Sequence, residues 1–208
     1  MLNDLLIRYP ILAEIKDTIQ EATDEIISCY EKGGKLMLCG NGGSAADCEH
    51  IVGELMKGFL KHRAVSDAKR QEMKANAPYL DDEIVSKLQC GLPAVSLPSM
   101  MALNTAFCND VDPELIYAQP LMALAHKGDI LIAISTSGNS KNVCVAAEVA
   151  KALGCKVIAL TGNSGGKLKD ISDICLCVGE SETYKIQELH LPLYHYICAE
   201  VENHFFAD

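Results

Sequence analysis

The chain has 208 residues, of which 49% are hydrophobic, and its 28 acidic against 18 basic residues give a formal net charge of −10. This length suits one sizeable α/β domain, 1–208, and the apolar content excludes a disordered chain. The negative charge disfavours binding to nucleic acid or to an anionic membrane.

The hydrophobic runs indicate where the protein is located. They are about five residues long, against the roughly 20 residues that a membrane-spanning helix needs. The first residues lack the features of a secretion signal. We therefore expect a cytoplasmic protein with no membrane partner.

The ten cysteines follow neither a disulfide nor a zinc-binding pattern, and no CxxC pair occurs. Most of them lie in apolar runs typical of strands or helices. The thiols of Cys175 and Cys177 are expected on opposite faces of a strand. We expect reduced cysteines that act mostly as small buried side chains.

Short apolar strands alternate with helical patterns along the chain. Before the first strand, apolar residues recur at helical spacing from Leu12 to Ile27 and end at the Gly33-Gly34 pair. Five strands are predicted, at residues 35–40, 93–97, 129–135, 156–162 and 174–179. Strands separated by helices predict βαβ crossovers and a mostly parallel sheet covered on both faces.

Two further segments complete the pattern. A long final helix is predicted for about residues 186–206, kinked near Glu188, because Pro192 removes the backbone donor for that carbonyl. The charged segment 62–90 interrupts the alternation and is interpreted as an insertion of one or two short helices broken at Pro78. It would act as a lid or as an oligomer contact.

Two Gly/Ser loops follow predicted strands: GNGGS at residues 40–44 and STSGNS at residues 135–140. Ligands of open parallel sheets bind outside the carboxyl ends of the strands, where both loops lie. Their glycines permit positive φ, Ser44 is predicted to cap the next helix, and free N–H groups attract an anion. Neither loop matches a nucleotide-binding signature, so we predict a small phosphosugar as ligand. Tight turns with helix caps are the alternative.

His50 and Glu54 lie four residues apart on the helix that follows the first loop, and therefore share a face. An imidazole and a carboxylate with separated pKa values can move the protons of an aldose–ketose conversion. A surface pair or a polar core contact is the alternative interpretation of this spacing.

The motifs GNGGS-x5-H-x3-E, STSGNS and IQELH-x4-H together resemble the sugar isomerase (SIS) domain, most closely its phosphoheptose isomerases, over the chain except about residues 62–90. The resemblance implies a three-layer αβα fold with a five-stranded, mostly parallel sheet in a flavodoxin-like arrangement and long terminal helices. It also implies isomerisation of sedoheptulose 7-phosphate to D-glycero-D-manno-heptose 7-phosphate through an enediol, in a homotetramer with shared active sites.

The resemblance further implies one zinc or other divalent ion per active site, bound by His50, Glu54, Gln187 and His195, with Glu54 and His195 also the acid–base pair. The implied substrate contacts are Asn41, Gly42, Gly43, Ser44, Glu54, Asn109, Asp110, Ser135, Thr136, Ser137, Ser140 and Gln187. Gln187 and His195 are about 12 Å apart along a straight helix, so both reach one ion only through a bend or a second subunit. His190 and Glu188 are candidates for hydrogen bonds to the ligands.

Two positions depart from the family pattern where substrate specificity is set. Gly58, beside Lys57, replaces an arginine, and Tyr184 replaces an aspartate. Two alternatives stay open: a non-catalytic SIS module that senses a phosphosugar or binds a protein such as a replication initiator, and an epimerase or aminosugar enzyme of the same fold. Glu54 and His195 favour the enzyme, because such regulators tend to lack both.

Overall fold

The computed structural model describes residues 1–206, and in this part of the chain five β-strands form one sheet in the order β2-β1-β3-β4-β5. Every pairing is parallel. The strands are β1 Leu36–Gly40, β2 Ala94–Ser96, β3 Ile130–Ile134, β4 Lys156–Thr161 and β5 Ile174–Cys177. The predicted flavodoxin-like parallel sheet is confirmed.

Helices cover both faces of the sheet and complete the three layers. They are α1 Leu2–Arg8, α2 Lys16–Glu31, α3 Gly43–Met56, α4 Asp67–Asn76, α5 Asp82–Lys87, α6 Met101–Asp110, α7 Ala118–Leu124, α8 Lys141–Ala152, α9 Gly166–Ile171 and α10 Thr183–Phe205. Within residues 1–206, every helix is too short or too polar to span a bilayer.

The alternation of side chains along each strand creates two hydrophobic cores. In β1, Leu36 and Leu38 pack with side chains of α1, α2, α3 and α10. Met37 and Cys39 point to the other face, where they pack with α7, α8 and α9. The sheet is therefore buried on both sides, and its ligands can approach only at its ends.

The terminal helices are confirmed with shifted bounds. The N-terminal pattern forms a 3-10 segment, Pro10–Ile15, before α2 begins at Lys16, so the first apolar positions of that pattern are not α-helical. At the other end, α10 begins before Ile186 and continues through Pro192 to Phe205.

The segment 62–90 contains two short helices, α4 and α5, separated around Pro78 as predicted. An antiparallel bridge between Ala64 and Gln89 joins the two ends of the segment. No residue of α4 is buried. The bridge therefore holds the two ends of the segment together, and α4 lies on the protein surface, whereas Val65 and Val85 of the same segment are buried. The role of the segment as a lid or an oligomer contact stays a prediction.

The expectation for Cys175 and Cys177 is wrong. Residues two apart in a strand share a face, and the two sulfur atoms in β5 are 3.3 Å apart. The Thr161 hydroxyl lies within 3.5 Å of both sulfur atoms. All ten cysteines are free thiols, and six are buried. Burial raises the pKa of the Cys175 thiol to about 11.

Candidate active site

The two Gly/Ser loops meet at the end of the sheet, because GNGGS follows β1 and STSGNS follows β3, and these strands are neighbours. Strand order reverses between them, and a crevice at such a point is the usual ligand site. Asn41 of the first loop exchanges two side-chain hydrogen bonds, of 2.8 and 2.9 Å, with Asn142 in the first turn of α8. The Tyr117 hydroxyl lies 2.7 Å from the Gly40 carbonyl oxygen and 3.0 Å from Asn41 Oδ1. The loops are therefore fixed to each other.

In the first loop the helix cap differs from the prediction. Gly42, with a φ of 56°, is the N-cap residue of α3. Ser44 lies inside the first turn, is buried, and its N–H donates to the Asn41 carbonyl. The prediction that Ser44 caps the helix is therefore wrong, because the helix begins one residue before it.

Gln187 of α10 reaches this first turn. A Cβ atom at Gly43 would lie 2.4 Å from Gln187 Nε2, so the carboxamide packs directly on the Gly43 backbone. This contact requires glycine at position 43, unless Gln187 moves. Gln187 and the GNGGS backbone therefore line the same part of the crevice.

The second loop presents hydroxyl groups at the N-terminus of α8. Ser140 is the N-cap residue, and its Oγ lies 2.9 Å from Oγ of the buried Ser135. Thr136 is half-buried and Ser137 is exposed. Free N–H groups and hydroxyls at the start of a helix suit a phosphate.

Gly138 closes the STSGNS loop against the loop that follows β4. Its φ is +66°, and a Cβ atom there would lie 1.9 Å from the Gly165 carbonyl oxygen. We expect Gly138→Ala to destabilise the fold by up to about 3 kcal/mol, because it adds a backbone collision to left-handed strain. Gly33→Ala is the control: its φ is +78°, and an added Cβ would have no atom of residues 1–206 within 4 Å, so only about 1–2 kcal/mol is expected. Urea unfolding measures both, and equal losses would contradict the collision.

His50, Glu54 and His195 come together where α3 packs on α10. His50 Nε2 lies 3.2 Å from Glu54 Oε1 and 3.4 Å from His195 Nε2. The Glu54 side chain is only 13% exposed, whereas that of His50 is 41% exposed. The predicted acid–base pair and the first predicted metal ligand therefore form one cluster.

The surroundings of this cluster bear on its charge. Burial, with a contribution from His50, lowers the pKa of His195, although Glu54 opposes the shift. The His195 imidazole is therefore mostly neutral near pH 7. Lys57 Nζ lies 3.1 Å from Glu54 Oε2. The ammonium group is exposed, so this pair contributes little to stability.

The Gly58 departure has a steric cause. A Cβ atom at Gly58 would lie 2.3 Å from the Lys61 carbonyl oxygen and 2.8 Å from Gln89 Oε1, which accepts the Gly58 N–H. The backbone entering the segment 62–90 thus occupies the space in which a side chain at this position would start. Lys57 is the basic group left beside Glu54.

Sequence reasoning missed two residues beside the cluster: Tyr194, which contacts His50, and Asp47, which contacts Tyr194. The Tyr194 hydroxyl lies 2.9 Å from His50 Nδ1 and 3.3 Å from Asp47 Oδ1. Burial is the main cause that raises the pKa values of both Tyr194 and Asp47. Their positions gave a signal, since Tyr194 is next to His195 and Asp47 lies three residues before His50 on the same helix.

Other predicted residues lie elsewhere. His190 is fully buried, with Nε2 3.3 Å from the Thr161 carbonyl oxygen, and burial lowers its pKa to about 4. Glu188 and Tyr184 are exposed. Asn109 donates to Asp110 at the exposed end of α6, and no hydrogen bond described for residues 1–206 joins either one to the Gly/Ser loops.

The metal stays a prediction, and the donors at the cluster can be compared with the geometry that zinc requires. Within residues 1–206, no set of three or more His, Cys, Asp or Glu side chains is arranged to hold an ion as it stands. Yet the 3.2 and 3.4 Å separations at His50 approach the roughly 3.4 Å between two ligands of a tetrahedral zinc with bonds near 2.1 Å. Nitrogen and carboxylate donors also suit zinc. The predicted fourth ligand, Gln187, lies against Gly43 instead.

The sequence is similar to a known protein family and to individual members of it. Residues 7–78 and 83–162 match the family model of the SIS domain, so the match passes through most of segment 62–90 and is interrupted only at residues 79–82. The chain is 43% identical over 178 residues to a phosphoheptose isomerase of Crocosphaera subtropica, covering 86% of this chain and 78% of that protein. It is 35% identical over 207 residues to one from Aliarcobacter butzleri, covering 98% and 96%.

Solved structures agree with the sequence relatives. The phosphoheptose isomerase of Neisseria gonorrhoeae superposes with a TM-score of 0.76 at 29% identity, covering 97% of this chain and 94% of that one. The enzyme from Francisella tularensis gives 0.74 at 33% identity, covering 90% and 86%. Similarity therefore extends over nearly the full length of both chains.

Proposed function

This chain belongs to the SIS domain family and is a phosphosugar isomerase, and we propose that it interconverts sedoheptulose 7-phosphate and D-glycero-D-manno-heptose 7-phosphate. The observation that carries the proposal is the meeting of His50, Glu54 and His195 on α3 and α10. Helix α3 starts in the same crevice that the STSGNS loop borders. The names of the relatives supply the seven-carbon substrate.

Binding of the phosphate is assigned to the STSGNS loop. Ser135, Thr136, Ser137 and Ser140 offer hydroxyls, and the first turn of α8 offers N–H groups. Asn41, Gly42, Gly43 and Ser44 border the sugar from the other side. Asn142 joins the two loops, so side-chain hydrogen bonds hold the two halves of the site together.

The reaction moves one proton between C1 and C2 and another between the two oxygens. Glu54 is the proposed base that removes the carbon-bound proton and returns it to the neighbouring carbon. His195, mostly neutral, is proposed to exchange the proton between the oxygens of the enediol. Two groups with different affinities for the proton can do this at neutral pH.

A divalent ion is part of the proposal. His50, Glu54 and His195 would hold it, with Gln187 supplied by a change of position or by a second subunit. Bound there, zinc or another divalent ion would polarise the sugar carbonyl and stabilise the negative charge of the enediolate.

The proposal includes a homo-oligomer, with a tetramer as the expected form. Helix α6 has no buried residue although its sequence is largely apolar, and Met101 is 75% exposed. Exposed apolar surface of this kind is typical of an interface. Asn109 and Asp110 at the end of α6 would then contribute to the active site of a neighbour. The ten free thiols also fit the proposed cytoplasmic location.

The test is turnover with a panel of five- to seven-carbon ketose phosphates, run before and after treatment with a chelator and again with added zinc. We expect the highest kcat/KM with sedoheptulose 7-phosphate and loss of activity on chelation. Epimerised products would identify the epimerase alternative. Binding without turnover by the zinc-loaded protein would contradict the proposal and indicate a non-catalytic SIS module.

A further inference from the structure

We propose that Tyr194, oriented by Asp47, is a positioning residue that holds the His50 imidazole in its Nδ1–H tautomer, so that the Nε2 lone pair faces Glu54 and His195. The inference rests on the proposed function, in which His50 Nε2 is a metal ligand. It adds two residues that act through His50 rather than on the substrate.

The first support is the geometry around the Tyr194 hydroxyl. Its oxygen lies 2.9 Å from His50 Nδ1 and 3.3 Å from Asp47 Oδ1. Tyr194 is only 3% exposed, and its ring packs edge-on against the rings of both His50 and His195. The hydroxyl therefore has little freedom to turn toward other partners.

The second support is a count of protons. A phenol has one proton to donate, and a carboxylate can only accept. If Tyr194 donates to Asp47, its oxygen must accept from His50, which then carries its proton on Nδ1. The Nε2 atom is left without a proton.

The reverse arrangement is less favourable. If Tyr194 donated to His50 Nδ1 instead, Asp47 Oδ1 would lose this hydrogen bond. Among residues 1–206, Asp47 Oδ2 is already buried without a hydrogen-bond partner. A buried carboxylate with two unpaired oxygens is costly, so Asp47 selects the direction of the whole chain of hydrogen bonds.

The selected tautomer has a consequence for the cluster. An Nε2 lone pair 3.2 Å from a Glu54 oxygen is repulsive unless a positive charge lies between them. The same atom is 3.4 Å from His195 Nε2. Fixing the proton on Nδ1 thus prepares this space for a cation, as hydrogen bonds to the distal nitrogen do for metal-binding histidines in general.

The tautomer can be measured directly in the metal-free protein. Long-range 1H–15N correlation at about pH 8, where histidine is neutral, distinguishes Nδ1–H from Nε2–H; the His50 signals are assigned by their loss in His50→Gln. We expect Nδ1–H in the wild type. In Tyr194→Phe and in Asp47→Ala we expect a shift to Nε2–H, which can donate to Glu54.

Metal affinity gives a second measurement. Competition between the protein and a chelator for Zn²⁺ should show a 10- to 100-fold weaker Kd in Tyr194→Phe and in Asp47→Ala. Tyr196→Phe, which removes the hydroxyl of another buried tyrosine of α10, should leave the Kd unchanged. Because Tyr194 and Asp47 act in one chain, the double variant should lose little more than the worse single variant.

The outcomes separate this inference from the proposed function. An Nε2–H signal for His50 in the wild type overturns the inference, whatever the enzyme does. A Zn²⁺ Kd that is unchanged in a folded Tyr194→Phe variant also overturns it, while leaving the isomerase intact. Thermal melting shows that each variant is folded, and Asp47→Ala tests the same chain with the Tyr194 ring in place.

Discussion

Glu54→Gln is expected to lower kcat for phosphosugar isomerisation by about 10²- to 10⁴-fold, the range that a general base contributes. The amide has nearly the shape of the carboxylate but cannot accept the carbon-bound proton. The substitution also removes the ion pair with the exposed Lys57, and this loss should change the free energy of unfolding little. Initial rates with sedoheptulose 7-phosphate, together with a melting curve, measure both effects.

Glu49→Gln is the matched control, because Glu49 lies on the same helix and accepts a hydrogen bond from Ser99 rather than touching the cluster. It removes the same charge and should leave the rate near that of the wild type. His195→Ala should be as inactive as Glu54→Gln. Wild-type turnover in a folded Glu54→Gln variant would exclude Glu54 as the base.

The parts of this molecule that could be predicted from sequence are those encoded locally. Strand and helix positions follow from apolar periodicity, which is why the sheet and α10 are close to their predicted bounds. The positions of the Gly/Ser loops follow from strand order. His50 and Glu54 share a helical face, so their proximity needed no tertiary information.

The contacts that escaped prediction join residues far apart in sequence. Asn41 pairs with Asn142, and Tyr194 reaches His50, through packing that no short motif encodes. The reason for Gly58 became visible only when the backbone of the segment 62–90 was seen beside it. Ser44 was misassigned because the exact start of a helix is weakly encoded in sequence: the cap is Gly42, two residues before it.

A buried ion pair also escaped prediction, although it joins the two helices that carry the cluster. Arg63 Nε lies 2.8 Å from Glu202 Oε1, and neither side chain is exposed. The guanidinium also donates to the carbonyls of Glu54 and Leu55 at the end of α3. Glu202 of α10 also accepts hydrogen bonds from the backbone N–H groups of Phe59 and Leu60, which follow the end of α3.

Arg63→Met is therefore expected to destabilise the protein by about 3–5 kcal/mol, because it leaves the Glu202 carboxylate buried without its counter-charge. Denaturation by urea at pH 7 measures the loss. Lys87→Met is the control: it breaks the exposed pair with Glu83 and should change the free energy of unfolding little. A comparable effect of the two substitutions would show that burial adds nothing to the Arg63 pair.

The same variant should respond to pH in a defined direction. Burial alone would raise the pKa of Glu202, but the N–H groups of Phe59 and Leu60 and the Arg63 guanidinium outweigh it and lower the pKa. A carboxyl group whose pKa is lowered by folding stabilises the protein at pH values above its unfolded-state pKa, which is near 4.3 for Glu. This stabilisation is lost as the pH falls through the folded-state pKa. Removing Arg63 takes away one cause of this lowering, so Glu202 takes up a proton more readily in Arg63→Met than in the wild type. The difference in unfolding free energy between wild type and Arg63→Met should therefore be largest at pH 7 and shrink toward pH 4, and a gap that widens on acidification would contradict the assigned charge of the pair.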